Sequence, residues 1–246
     1  MSFVLLDPEI IAGPLRLTTT SNETSLEMEA DGLDSTVFGL NGWKRIKAGL
    51  KMSAVDSSGF WDPAPLEAGA LGPDADLWGR FATALPFIIS PSGGDLATAY
   101  IVPAVRTSLS FLGKVGEITP YSAKALGDGA AARGALIHPV TTVETTSGTG
   151  STFILGTIPE GRKLYVSIHV LSLGGTSPQL TVDVERDDNA GFTTSTAVAS
   201  LGPVGVPTAA LTTVAGPITP DDRYRASWTL TGTAPTARFA VAVGST

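Results

Sequence analysis

Apolar and polar residues alternate with a period of two along much of this chain. The stretch TSLEMEA puts Leu26, Met28 and Ala30 on one face and two glutamates on the other. Similar alternation occurs in KLYVSIHV, QLTVDVER, RASWTLT and ARFAVAV. Alternation of this kind is typical of half-buried antiparallel strands. The pattern therefore predicts an all-β fold.

In KLYVSIHV the even-numbered residues from Leu164 to Val170 are the apolar ones. We expect these residues to face the core and the odd-numbered ones, including His169, to face outward. Turn signals such as LGGTSP, RDDNAGF and ITPDD separate the strands at the spacing of a β-sandwich or jelly roll.

One segment has helical spacing instead. In PDADLWGRFATAL, residues 73–85, the apolar positions recur at helical intervals. Asp74 is a candidate N-cap, and Pro86 is expected to end the helix. We therefore predict one short helix that buries Trp78 and Phe81 against the flank of the sheet.

A change in composition divides the chain. Glycine and alanine replace strand-forming residues at 126–135, and the sequence that follows is richer in threonine. We predict an N-terminal β-sandwich or barrel domain at 1–133 and a C-terminal β-sandwich domain, Ig-like or jelly-roll, at 134–246. Residues 199–217 alternate only weakly, which predicts a long connection with at most one edge strand.

Composition limits the classes of function. The net charge is −7, and only 16% of the residues are charged. Proteins that hold nucleic acid by neutralising phosphates need an excess of clustered cations, so this class is not favoured. Without cysteine the chain has no disulfide and no thiol catalysis. The N-terminal sequence suggests neither a signal peptide nor a membrane anchor.

Candidate catalytic chemistry is sparse. The two histidines, His138 and His169, lie in no catalytic motif, and a surface or interdomain position is expected for both. The acidic residues at 183–189 do not have the spacing of a calcium loop, and a solvated strand edge explains them. The sequence therefore predicts a protein that is not an enzyme and that has no metal and no cofactor.

The passage STVFGLNGWKRIKAGLK, residues 35–51, departs from the strand pattern. It is long for a turn, rich in glycine and unusually apolar. Its large apolar residues are Val37, Phe38, Leu40, Trp43, Ile46 and Leu50. A loop this apolar gains by burial, either on another copy of the chain or back on its own domain.

Charges are segregated around this passage. The preceding strand carries five acidic residues, Glu23, Glu27, Glu29, Asp31 and Asp34. The loop carries four cations, Lys44, Arg45, Lys47 and Lys51. Opposite charges on separate surfaces suit head-to-tail contacts between copies, and such contacts build rings or filaments.

A series of motifs gives the passage a family resemblance. LEMEADGLDSTVFGLNGWKRIKAGLKMSAVDSSGFWD, followed by PFIISPSGGDLATAY and GKVGEITPYSAKALGDG, resembles the major tail tube protein of long, non-contractile-tailed (siphovirus-type) bacteriophages. That family has D-x-T-x-F-G, then G-W-[KR], then G-L-K, then G-[FW]-[FW]-D. The matching residues are Asp34, Thr36, Phe38, Gly39, Gly42, Trp43, Lys44, Gly49, Leu50, Lys51, Gly59, Phe60, Trp61 and Asp62. The second half is similar to the outward-facing C-terminal β-sandwich of many such proteins.

The resemblance implies hexameric rings that stack into a tube, with the sheets of neighbouring subunits joined into an inner β-barrel. It implies that the loop reaches the adjacent ring, which makes its interface residues Asp34, Phe38, Trp43, Lys44, Arg45, Lys47 and Lys51. Glu27 and Glu29 become candidate lumen acids, past which phage DNA slides without specific binding; the alternative is an ordinary solvated strand face. Other tail proteins are expected at the tube ends. The protein would be a virion component made in the cytoplasm of the bacterial host.

A second function stays open. Two threonine-rich β-sandwiches could form a carbohydrate-binding module of a phage spike or fibre. Tyr165 and Tyr224 are the aromatic residues expected to be exposed for that purpose.

Overall fold

The computed structural model describes residues 8–37, 43–62, 64–65 and 68–246. Nearly all of its elements are antiparallel β-strands, which confirms the all-β prediction. The strands are β1 (Glu9–Ala12), β2 (Leu15–Arg16), β3 (Ser21–Asp34), β4 (Ile46–Phe60), β5 (Ala84–Ser90), β6 (Thr98–Phe111), β7 (Pro120–Gly127), β8 (Ala132–His138), β9 (Gly148–Thr149), β10 (Phe153–Ile154), β11 (Lys163–Asp187), β12 (Thr196–Val204), β13 (Thr208–Ala215) and β14 (Arg223–Ser245). One helix, α1 (Pro73–Gly79), interrupts them. No helix in the described part of the chain is long and apolar enough to cross a membrane.

The first half of the chain is organised around a four-stranded sheet in the order β3-β4-β7-β6. The other edge of β6 continues through β5 to β1 and β2. Apolar residues of this sheet, including Val55 and Ala125, pack with Leu77 of α1 and Leu17 in one hydrophobic cluster. The opposite face of the four strands is left without a cover in the described chain.

Strand β8 connects the two halves of the chain. It pairs with β6 on one side and with β14 on the other, so the sheet runs continuously through residue 133. Only residues 128–131 separate β7 from β8, where the sequence suggested a linker at 126–135. The division at 133 and 134 stays a prediction, with the proposed boundary inside a strand.

The second half is built on one long ribbon. Strands β11 and β14 pair along almost their whole length, with register shifts between Val170 and Gln179. Val166 and Val182, from the two ends of β11, share one hydrophobic cluster, so the ribbon bends back to form two layers. Strand β13 flanks the first part of β11, and β12 flanks the second. The predicted connection at 199–217 is therefore wrong, because alanine and threonine form two edge strands there.

The outward position predicted for His169 is also wrong. The first part of β11 is buried on both faces, because a second cluster joins its Tyr165 and Leu171 to Ile11 and Ile88. His169 is fully buried, and its Nδ1–H donates to the carbonyl oxygen of Gly13 at 2.6 Å. Burial lowers the pKa of His169 to about 4, so the imidazole is neutral at pH 7. The hydrogen bond of His169 to Gly13 links the second half of the chain to the first. This agrees with the interdomain position that was the other expectation for His169.

The helix is shorter than predicted. It begins after Gly72 and has no side-chain cap, and Ala84 already starts β5, so Pro86 lies inside a strand instead of ending the helix. Ala82 has a φ of 59°, a left-handed conformation that a helix cannot contain. Trp78 and Phe81 are 69% and 46% exposed, contrary to the predicted burial.

Candidate assembly interface

The hairpin formed by β3 and β4 extends beyond the rest of the sheet. Strand β7 pairs with β4 only at residues 54–60, so residues 46–53 of β4 have β3 as their one strand neighbour among the described residues. Pairing continues as far as Asp34 and Ile46. We call residues 28–37 and 43–52 the arm. The predicted loop at 35–51 is thus shorter than expected, because its last six residues belong to β4.

A bulge shapes the arm. The register shifts between Ala30 and Gly32, where Gly49 and Leu50 of β4 oppose the single residue Asp31. A Cβ at Gly49 would come within 2.9 Å of the Asp31 Cβ atom. The close approach of the two strands therefore explains the glycine at this position.

The arm exposes an unusual amount of apolar surface. Its large apolar side chains are between 50% and 83% exposed: Met28, Leu33, Val37, Trp43, Ile46, Leu50 and Met52. The prediction that Met28 faces a core is wrong for the single chain, since both faces of the arm lack a cover among the described residues. Contiguous apolar surface of this kind marks an interaction site.

Six of the seven predicted interface residues lie on the arm, with Asp34, Trp43, Lys44 and Arg45 at its end and Lys47 and Lys51 further back along β4. Lys44 lies 3.8 Å from Asp34, and both side chains are largely exposed. The backbone N–H and the side chain of Thr36 hydrogen-bond Asp34 and hold its pKa below the usual value. The remaining cations, Arg45, Lys47 and Lys51, are exposed and form no ion pair with a described residue. Phe38 lies outside the described residues.

Two strand edges are open. Strand β3 pairs only with β4, so its other edge is free over Ser21–Asp34 in the described chain. At the far side of the same sheet, β5 reaches β6 only as far as Val105, which leaves residues 107–111 with β7 as their single partner. Long open edges of this kind template pairing with another chain.

The uncovered face of the four-stranded sheet is acidic and rich in serine. Leu26 pairs with the core residue Val55, so Glu27 and Glu29 point to the opposite face. By the same alternation this face carries Glu23, Ser25, Asp31, Asp56, Ser58, Ser108, Ser110, Ser122, Lys47 and Lys124. The two cations do not balance the acids, and Lys124 already pairs with Asp56 at 3.4 Å.

The histidines have structural roles. The ring of His138 stacks on Phe239 with 4.0 Å between centroids, and its Nδ1 lies 3.1 Å from the carbonyl oxygen of that residue. Burial lowers the pKa of His138, as it does for His169. Among the described residues no three histidine, aspartate or glutamate side chains are placed to hold a metal ion.

The two tyrosines that suggested a carbohydrate-binding module are buried. Tyr165 is 6% exposed and Tyr224 is fully buried, so neither can stack on a sugar. Both contribute to hydrophobic clusters instead. Period-two alternation alone could not reveal this, because it does not show that a second layer covers the polar face.

Comparison with known proteins gives remote similarities. No protein-family model and no curated protein matches the chain. A chain from the virion of a native gene transfer agent particle aligns over 52% of this chain and 96% of its own length, with 18% identity and a TM-score of 0.42. A chain from the tail of an empty gene transfer agent particle, analysed with C6 symmetry, covers the same shares with 20% identity and a TM-score of 0.42. The Dit protein of phage SPP1, described as a hub of the adsorption apparatus, aligns over 97% of this chain and 99% of its own, with 14% identity and a TM-score of 0.33. Identities this low do not transfer a function.

Proposed function

We propose that this chain is a structural virion protein without catalytic activity, namely a subunit of a phage tail tube. Six copies form a ring, rings stack, and the bore is the conduit through which DNA is ejected into the host. The observation that carries this proposal is the arm, a hairpin with a free strand edge and seven exposed large apolar side chains. The motif resemblance centred on the same residues supports it.

Strand directions suit ring formation. Neighbouring strands in β3-β4-β7-β6 are antiparallel, so β3 of a second copy would also run antiparallel to β6 if placed at its open edge. Such a contact joins two different surfaces, and repeated rotation closes it into a ring. Ring closure removes both open edges at once.

The acidic face suits a bore. In a ring closed this way the four strands of each copy line one continuous surface, with Glu27 and Glu29 on the side away from the core. Phosphates would be repelled by this surface, so DNA would slide past without being held. The C-terminal half then faces outward, and other tail proteins bind the tube ends. The protein reaches the virion from the cytoplasm of the host.

The assembly state of the purified full chain tests the proposal. Light scattering and negative-stain electron microscopy at rising protein concentration should reveal rings and then tubes. Because the arm and the strand edges need a second copy to be covered, assembly is expected without any added partner. A chain that remains monomeric at the highest concentration reached contradicts the proposal.

Charge reversal tests the position of the acidic face. The variant Glu27→Lys/Glu29→Lys should still assemble, because both side chains point away from the core, and pairing at the edge of β3 uses backbone groups. Tubes of this variant, assembled in the presence of short duplex DNA, should retain DNA that resists nuclease at low salt, since each lysine attracts phosphate. Wild-type tubes should retain almost none.

The control for this variant is Glu160→Lys/Asp188→Lys, which reverses two exposed acids in the second half of the chain. It changes the net charge equally, and its tubes should leave DNA open to nuclease. Equal protection in the two variants would place Glu27 and Glu29 outside the bore.

A further inference from the structure

A second apolar surface lies at the other end of the four-stranded sheet from the tip of the arm. We call it the β6–β7 patch; its side chains are between 69% and 105% exposed: Trp78, Leu112, Val115 and Ile118. The sequence pattern does not reveal this surface, because its apolar residues are scattered over the helix and a glycine-containing loop. The loop sequence LGKVGEIT, with large apolar residues between glycines, is the signal that could have pointed to it.

The patch lies beside two stacked rings at the end of the sheet. Phe60 pairs with Pro120 at the end of the sheet, and the N–H of Trp61 donates to the carbonyl oxygen of Thr119 at 2.7 Å. The Trp61 ring stacks on Phe111 at 4.7 Å, and Trp78 contacts the same Phe111 edge-on at 6.4 Å. The end of β4, the helix and the loop at 112–119 therefore converge on two stacked rings.

The loop holds its apolar residues outward at some conformational cost. Leu112 has a φ of 82°, a left-handed conformation that is unfavourable for a leucine. A hydrogen bond from the Glu117 N–H to the Lys114 carbonyl oxygen at 3.2 Å closes the turn that follows. Strain of this type, beside exposed leucine and valine, indicates a surface that is kept for contact.

The arm cannot reach this patch within one chain. Strand β4 has 15 residues and runs from Ile46 at the arm to Phe60 at the end of the sheet that borders the patch. At the usual rise per residue this separates the two surfaces by about 45 Å. The tip of the arm can therefore meet a β6–β7 patch only on another copy, displaced along the direction of the strands.

The two surfaces are complementary in charge. The tip of the arm carries the exposed cations Lys44, Arg45 and Lys47 beside Asp34. Exposed acidic residues surround the patch, where Asp62, Asp74 and Glu117 outnumber Lys114. Complementary charges around an apolar centre set the register of a contact and exclude wrong partners.

We propose that the tip of the arm of one copy docks on the β6–β7 patch of a second copy in the next ring. This inference rests on the proposed tube function and names the receiving surface. Trp43 is the apolar anchor, and the cations around it face the acids that border the patch. Trp78 belongs to the receiving site.

Cysteine pairs can test the contact without background, because the chain contains no cysteine. The double variant Arg45→Cys/Val115→Cys keeps the anchor Trp43 and should form a ladder of disulfide-linked oligomers when tubes are oxidised. The control Arg45→Cys/Val206→Cys moves the second thiol to an exposed site in the other half of the chain. Thiols held together in a tube have a millimolar effective concentration, so the first variant should cross-link at least about tenfold faster than the control.

A charge exchange gives a second readout. Lys44→Glu/Lys47→Glu should raise the protein concentration needed for tube growth about two- to fivefold, and adding Asp74→Lys/Glu117→Lys should restore it. Adding Glu160→Lys/Asp188→Lys instead, far from the patch in the sequence, should not restore the concentration needed for tube growth. Tubes that form but show neither specific cross-linking nor rescue overturn this docking and leave the tube function standing. A wild-type chain that forms no rings or tubes overturns both.

Discussion

Replacing residues 36–44 with Asn-Gly is expected to abolish tube growth and to leave the chain folded. The N–H of Ser35 donates to the carbonyl oxygen of Arg45 at 2.8 Å, so these two residues can flank a two-residue turn. The replacement removes Val37, Trp43 and Lys44 and shortens the arm. It does not touch the hydrophobic clusters of the described chain.

The expected effect on assembly is large. Trp43 is 78% exposed in the single chain and is followed by two cations. Tryptophan is among the residues that most often form the hot spot of an interface. Loss of one hot-spot residue costs at least about 2 kcal/mol, or about thirtyfold in the assembly concentration, and each ring would lose several such contacts. Thermal unfolding should change little, because exposed side chains contribute little to the stability of the monomer.

The measurement is turbidity and electron microscopy at matched concentrations, with circular dichroism to confirm folding. Ile154→Ser/Val206→Ser is the control, because it removes two exposed apolar side chains far along the chain from the arm. Control and wild type should form tubes with equal ease. Tube growth by the Asn-Gly variant at wild-type concentrations would show that the arm does not hold rings together.

The sequence predicted strands better than it predicted their surroundings. Alternation in KLYVSIHV correctly indicates a strand with Leu164 and Val166 in the core. Alternation does not predict the burial of Tyr165 and His169. The second face of this strand is covered by Ile11 and Ile88, and Ile11 is more than a hundred residues distant in the sequence. A period of two reports polarity, and polar groups can be buried when they find partners, as His169 does with Gly13.

The helix shows the opposite error. Helical spacing of apolar residues from Leu77 to Leu85 suggested one buried face, but only Leu77 is buried by the helix. Trp78 remains exposed in the single chain, where it borders the β6–β7 patch. Apolar residues that serve contacts between copies look like core residues in a sequence, so pattern alone cannot separate the two.

The charges and glycines of residues 35–51 indicate a contact segment. The sequence does not indicate how far this segment extends from the sheet. Cations at Lys44 and Lys47 and the glycine at 49 indicated a contact loop. The register that extends the hairpin to Asp34 and Ile46, and the bulge that admits Gly49, depend on strand pairing. Similarly, the distance between arm and patch follows from the length of β4, which the sequence suggested was partly loop.

A buried ion pair fixes the helix on the sheet beside the patch. The Asp76 side chain is fully buried, with its carboxylate 2.7 Å from Arg80 Nε and 3.7 Å from Arg106 Nη2. Arg106 is almost fully buried as well, and its Nη1 donates to the carbonyl oxygen of Leu77 at 3.2 Å. Burial raises the pKa of the Asp76 carboxyl, while the two guanidinium groups act in the opposite direction.

Arg106→Met should lower the free energy of unfolding by about 3–5 kcal/mol, measured by urea denaturation at pH 7. Methionine fills a similar volume, so the loss comes from leaving the Asp76 carboxylate buried without its nearest buried cation and from losing the donor to Leu77. Lys124→Met, which breaks the exposed pair with Asp56, should cost less than about 1 kcal/mol.

The double variant Asp76→Asn/Arg106→Met separates charge from packing. If the buried carboxylate is the source of the cost, neutralising it should recover a large part of the stability lost in Arg106→Met. Equal instability of the single and the double variant would instead assign the cost to the lost contact with Leu77. Because Trp78 follows Leu77 in the helix, Arg106→Met should also weaken docking of the arm. The Arg45→Cys/Val115→Cys cross-link made in that background measures this. A cross-link of undiminished rate would show that the patch keeps its shape without the ion pair.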